Sequence, residues 1–189
     1  GMYIGSWKPD AELGFDKAWV DEEGVREAYT KWRSSRRAWA GFATGSDTLP
    51  MDKLVKDREG PAIAYMFTLL ARRPPDGVFE DQPAVLHVRH RGRMQARLDG
   101  KLIIDAPAPP DGAWAHAWGR VVLTDPYDVL LIKVGRGSEE LGASMDLQVR
   151  VSAPDGSALP DQSWNTMRPP GLPSDLDPPN PDPPSPDPP

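Results

Sequence analysis

Between positions 113 and 123 the chain reads AWAHAWGRVVL, with two tryptophans flanking a histidine at alternate positions, directly ahead of a strong β-strand signal. Alternate residues of an extended strand project from one face, so a strand beginning near Trp114 would present Trp114, His116 and Trp118 together. An imidazole in such a row suits proton transfer. Indole faces suit a sugar instead, stacking on the C–H side of a pyranose while polar groups at the rim hold its hydroxyls. The bland alternative is that the rings close a core, and the valines that follow favour closure slightly.

Catalysis needs more than an imidazole. A nucleophilic triad requires Ser or Thr beside a His that a carboxylate orients. His87, His90 and His116 are the only histidines, no G-x-S-x-G sequence occurs, and outside the C-terminal segment the carboxylates fall mostly in turns. The expectation is a protein that is not an enzyme. His87 and His90 invite a metal reading, but side chains three apart on a strand point to opposite faces, and two imidazoles fall short of a usual ligand set. No metal site or cofactor is expected from them. Acidic loops at Asp10 to Asp16 and Asp21 to Glu23 have the oxygen chemistry for a structural calcium ion, which the sequence cannot place. The glycine-rich GRGSEELG lacks the lysine-serine ending and following helix of a phosphate loop, and reads as a hairpin loop.

Arg89, Arg91, Arg93 and Arg97, with His87, form the densest basic patch. If Arg89 and Arg93 belong to one hairpin, then Arg89, Arg93 and Arg97 share a face that could receive an anionic glycan, a phosphate or an acidic partner. The ordinary reading, a solvated strand face cross-paired with acids such as Asp99, is favoured. Arg33, Arg36 and Arg37 would extend the patch if they lay nearby.

What positions these residues follows from composition and periodicity. The 189 residues are 39% hydrophobic, enough for one medium domain with a single core. From Pro169 the chain runs PPGLPSDLDPPNPDPPSPDPP, more than half proline, and is expected to be a disordered tail or linker. The boundaries are therefore 1–168 for the domain and 169–189 for the tail. Of the net charge of -6, four units belong to Asp175, Asp177, Asp182 and Asp187. The body is left close to neutral, against a nucleic-acid partner. Cysteine is absent, which removes disulfides and thiolate chemistry. No apolar run is long enough to cross a membrane. Nor does a basic and apolar signal open the chain. If Met2 is the native start, the compartment is cytoplasmic; if the sequence is an excised domain, an exported or envelope location stays open.

Ala62 to Ala71 is a continuous run of β-formers ended by RRPPDG, and reads as a buried central strand. Ala84 to Arg89 and Arg93 to Leu98 alternate apolar with polar residues and read as a hairpin turning at Arg91-Gly92. Asp99-Gly100 is a type I′ turn signal leading into Leu102-Ile103-Ile104. Strands around Val121, from Val129 to Val134, and from Ser144 to Val151 follow, and Pro154-Asp155-Gly156 makes a further turn. Glu22 to Trp32 carries a thin helical periodicity. Trp7, Trp19, Trp32 and Trp39 are expected to staple an irregular N-terminal segment onto the sheets. Short strands spaced by turns, with little helix, define an all-β antiparallel sandwich.

The order AIAYMFTLLA, ARLDGKLI, RVVL, LLIKV and MDLQVRVSAPDGSAL resembles the galactose-binding-like jelly-roll domains of bacterial multidomain proteins. In those domains a strand with a Leu-Asn-Gly turn precedes one ending in Ile-Lys-Val. YIGSW followed by GFD is similar to the family's Gly-Pro-Phe entry and later Gly-Phe-Asp. Asp99 stands where Asn is usual, Pro126-Tyr127-Asp128 replaces Gly-x-Asn, and Ser6-Trp7 replaces Pro-Phe; the first two keep turn chemistry. The resemblance spans roughly Tyr3 to Leu159. It implies an accessory, usually non-catalytic module of carbohydrate-binding type, with a glycan or a neighbouring protein domain as partner. The candidate ligand-binding residues are Trp114, His116, Trp118, Arg89, Arg93 and Arg97. A purely structural scaffold on a proline-rich spacer is the alternative, and a hydrolase-like enzyme ranks last.

Overall fold

The computed structural model describes residues 2–6, 15–16, 40–42, 48–51, 61–72, 74, 77–124, 126–136, 144–159 and 162–165. Lying outside them are the Glu22 to Trp32 stretch with its helical periodicity, the four N-terminal tryptophans, Arg33, Arg36, Arg37, the boundary at 168 and the tail. Ten strands are described: β1 (Met2–Ser6), β2 (Ala40–Phe42), β3 (Ala62–Arg72), β4 (Gln82–His90), β5 (Arg93–Leu98), β6 (Lys101–Ala106), β7 (Ala115–Leu123), β8 (Tyr127–Arg136), β9 (Leu147–Ser152) and β10 (Gln162–Asn165). They form two antiparallel sheets. One has the order β2-β1-β3-β8-β5-β6, with β10 also beside β3; the other is β7-β4-β9. From β3 onward the chain crosses repeatedly between the sheets, giving the expected jelly-roll sandwich.

β3 is buried along its whole length, as its unbroken apolar run requires. One edge pairs with β8, while the other is shared between β1, opposite Ala64 to Phe67, and β10, opposite Leu69 to Arg72. Ala64, Met66 and Leu70 point into the core between the sheets, where they meet Leu86 and Val88 of β4 and Leu130, Ile132 and Val134 of β8. The other face of the large sheet is covered too. There Lys133 of β8, only 1% exposed, donates its ammonium to the Phe15 carbonyl and lies 4.2 Å from the Phe15 ring. That pairing offsets the desolvation of its charge.

Two connections correct the sequence reading. β4 and β5 are not a hairpin, because β4 pairs only with β7 and β9 while β5 pairs with β6 and β8. Arg91-Gly92 instead carries the chain from one sheet to the other, and a Cβ on Gly92 would lie 2.5 Å from the Gly135 carbonyl oxygen. GRGSEELG likewise lies between strands of opposite sheets, so it is not a hairpin loop, and its residues 137–142 lie outside the described set. The hairpin expected at Asp99-Gly100 is present, with φ of 48° and 78° at its two central residues as type I′ geometry demands.

Candidate functional site

The small sheet has one face in the core and one toward solvent. Alternation turns Ala84, Leu86, Val88 and His90 of β4 inward, and Pro83, Val85, His87 and Arg89 outward. On β7 the outward set is His116, Trp118, Arg120 and Val122. Antiparallel register aligns them across the sheet: Arg89 lies between His116 and Gln148, His87 between Trp118 and Arg150, and Val85 between Arg120 and Ser152. A cleft of about 700 Å³ runs over this face, between β7 and the turn that follows β9.

Its polar centre is a chain of hydrogen bonds whose proton positions follow from its last member. The Ser152 hydroxyl donates to the Ala153 carbonyl at 2.9 Å, which can only accept. His87 Nε2 lies 3.1 Å from that hydroxyl and therefore donates to it. His87 Nδ1 is then a bare lone pair, accepting from His116 Nε2–H at 3.3 Å. The two rings are within 12° of parallel with centroids 5.4 Å apart. That separation is nearly the nitrogen gap plus two ring radii, so the rings meet edge to edge. Their facing nitrogens aim at each other and do not converge on a third point. His87 is thus held neutral: burial lowers its pKa below 6.5, and the neighbouring His116 and Arg150 act in the same direction.

His90, at the inward end of β4, is buried and donates Nδ1–H to the Gly92 carbonyl at 2.7 Å. Burial depresses its pKa more than that bond raises it, and the charge of His116 adds a smaller depression. Both groups bind protons more weakly in the folded chain than unfolded, so their stabilisation is complete above pH 6.5 and is lost as pH falls through their folded values. The melting temperature should therefore climb toward pH 6.5 and level off beyond it. His87→Gln should make the climb shallower. A melting temperature unchanged on acidification through this window would contradict the sign.

Of the residues singled out in sequence, His116 and Trp118 share the outward face of β7, with Trp118 58% exposed. They do not close the core, contrary to the reading that leaned that way; Val121 and Leu123 do, whereas Val122 is 48% exposed. Trp114 precedes β7 and is half-buried, its ring covered by Arg89 and Arg91, each 5.1 Å from its centre. Arg89 also donates to Gln148 Oε1 at 2.9 Å, so this end of the face is closed by its own residues. Arg93 and Arg97 lie in the other sheet. Arg93 forms an ion pair with Asp16 and lies over Phe15, and Arg97 donates to the Gly100 carbonyl. The shared basic face expected for Arg89, Arg93 and Arg97 does not exist, because it rested on the β4–β5 hairpin. Missed in sequence were Arg120, Arg150 and the pairing of His87 with His116 and Ser152. Arg120 was legible as the next outward position after Trp118, whereas the other pairings depend on a register across three strands.

No family model matches this chain, and no curated protein matches it in sequence. Among solved structures it is similar to a β-glucosidase from Kluyveromyces marxianus in complex with glucose, with a TM-score of 0.50 and 14% identity. That match covers 81% of this chain and 16% of the β-glucosidase, so the chain spans about a sixth of that enzyme's length. A PA14 sugar-binding domain from an RTX adhesin matches with a TM-score of 0.43 and 11% identity, over 87% of this chain and 94% of that domain. A family 35 carbohydrate binding module from Clostridium thermocellum matches with a TM-score of 0.33 and 12% identity, over 52% of this chain and 75% of the module. The first of these likenesses agrees with the strand topology: the chain is an antiparallel β-sandwich.

Proposed function

We propose that this β-sandwich is a non-catalytic binding module that takes a carbohydrate on the outer face of β7, β4 and β9. The observation that carries the reading is Trp118, an exposed indole set in an open cleft beside hydrogen-bonding groups. A ring left in water at the centre of a strand is poor for stability and good for stacking on a sugar. Val85, Val122 and Pro83 continue an apolar floor, and His116 Nδ1 is directed away from the His87 bond, available to a hydroxyl. The absence of catalysis is part of the proposal, and two features support it. The Ser152 hydroxyl is committed to a backbone carbonyl, and the second nitrogen of His87 faces His116 where a triad would hold a carboxylate.

A glycan array followed by tryptophan-fluorescence titration tests the reading. The protein should bind at least one glycan class, and Trp118→Ala should weaken that binding by about tenfold or more. Its stability should change by only about 0.5 kcal/mol, as for other exposed positions. Failure to bind any glycan, with specific capture of a protein through the same face, would transfer the site to domain docking.

A further inference from the structure

We infer that the sugar taken by this cleft is anionic, a pyranose bearing a carboxylate or sulfate, with Arg120 as the group that receives its charge. The inference rests on the binding-module reading above and adds the class of ligand.

Arg120 stands two residues beyond Trp118 on the same outward face of β7, and therefore about 7 Å along the strand. That spacing suits one ring stacked on the indole with its charged substituent directed at the guanidinium. Arg120 has no ion pair or hydrogen bond with another described residue, although it is exposed in a cleft. Arg150, across His87 from Trp118, spends one N–H on the Gly156 carbonyl at 2.7 Å and also has no carboxylate partner among the described residues. Among the described residues, no aspartate or glutamate lines the cleft. Asp155, in the adjoining turn, uses Oδ1 to accept from both the backbone N–H and the hydroxyl of Ser157. The Arg120 guanidinium over an apolar floor, with Arg150 farther across the sheet and no acid lining the cleft among the described residues, makes a site of positive potential. Such a site favours a carboxylate or sulfate and disfavours a cation. Arg93 and Arg97 on the large sheet offer no comparable site, since Arg93 is paired with Asp16 and Arg97 with a carbonyl.

The test compares binding of neutral, uronic-acid and sulfated oligosaccharides of matched length to the whole chain by calorimetry, at low and high salt. At least one acidic series should bind about tenfold more tightly than its neutral counterpart, as one charge-assisted hydrogen bond implies. Arg120→Gln should reduce that preference to the neutral level without altering the melting temperature, and salt should weaken the acidic series selectively. Which acidic series binds identifies the anion. If neutral and acidic sugars bind equally and binding still depends on Trp118, the charge assignment falls while the binding module stands. If no sugar binds, both fall. If acidic sugars bind undiminished to Trp118→Ala, the attraction is charge alone and the inference is overturned.

Discussion

Leu86→Ala should lose about 2–5 kcal/mol of stability, the cost of removing a buried leucine and leaving a cavity. Leu86 is 1% exposed at the middle of β4, with Gly119 of β7 on one side and Val151 of β9 on the other. Its side chain belongs to the same core cluster as Met66 and Ile132 of the opposite sheet. Such packing cannot collapse easily, because both flanking strands are fixed by the ladder. In a domain of this size the melting temperature should fall by about 5–15 °C. Val85, the adjoining residue, points the other way into the cleft, and Val85→Thr should shift stability by only about 0.5 kcal/mol. Thermal melts of the pair would oppose this account if the two substitutions cost the same.

The second large effect is expected at Gly92, where Ala should cost about 1–3 kcal/mol through overpacking. An added methyl would meet the Gly135 carbonyl oxygen at 2.5 Å and the Val134 Cγ2 at 3.1 Å. β8 cannot retreat, because it is hydrogen-bonded to β3 on one side and to β5 on the other. Relief must come from a displacement of the crossing itself, which also carries Arg91 and its contact with Trp114. Urea unfolding measures the loss. A midpoint equal to that of the unsubstituted protein would mean that the crossing has slack.

Gly92 also explains why part of the fold was readable from sequence and part was not. Glycine at a turn serves either a positive φ or a close backbone approach, and the residue type does not say which. Asp99-Gly100 is the first kind, and its hairpin was read correctly. Gly92 is the second kind, so the same letters mark a passage between sheets, and the arginine patch inferred from a hairpin dissolved with it. Strand alternation was legible throughout, since Ala84, Leu86, Val88, Leu147 and Val151 all face the core as their period requires. Trp118 could not be assigned to core or cleft from its spacing. Alternation separates the two faces of β7 without saying which is wet, and the valine pair Val121-Val122 occupies one of each. His87, His116 and Ser152 meet only through a three-strand register, which no local pattern encodes.

The split edge of β3 bears on how the most apolar strand is kept from pairing with other chains. Tyr3 of β1 sits opposite Phe67 and Asn165 of β10 opposite Leu69, two residues apart on a single strand. The two segments therefore lie within about 7 Å of each other along that strand. Both are on the large sheet, away from the cleft. With β8 on its other side, β3 thus leaves no backbone row open for a further strand opposite 64–67 or 69–72, which guards this apolar strand against pairing with another chain.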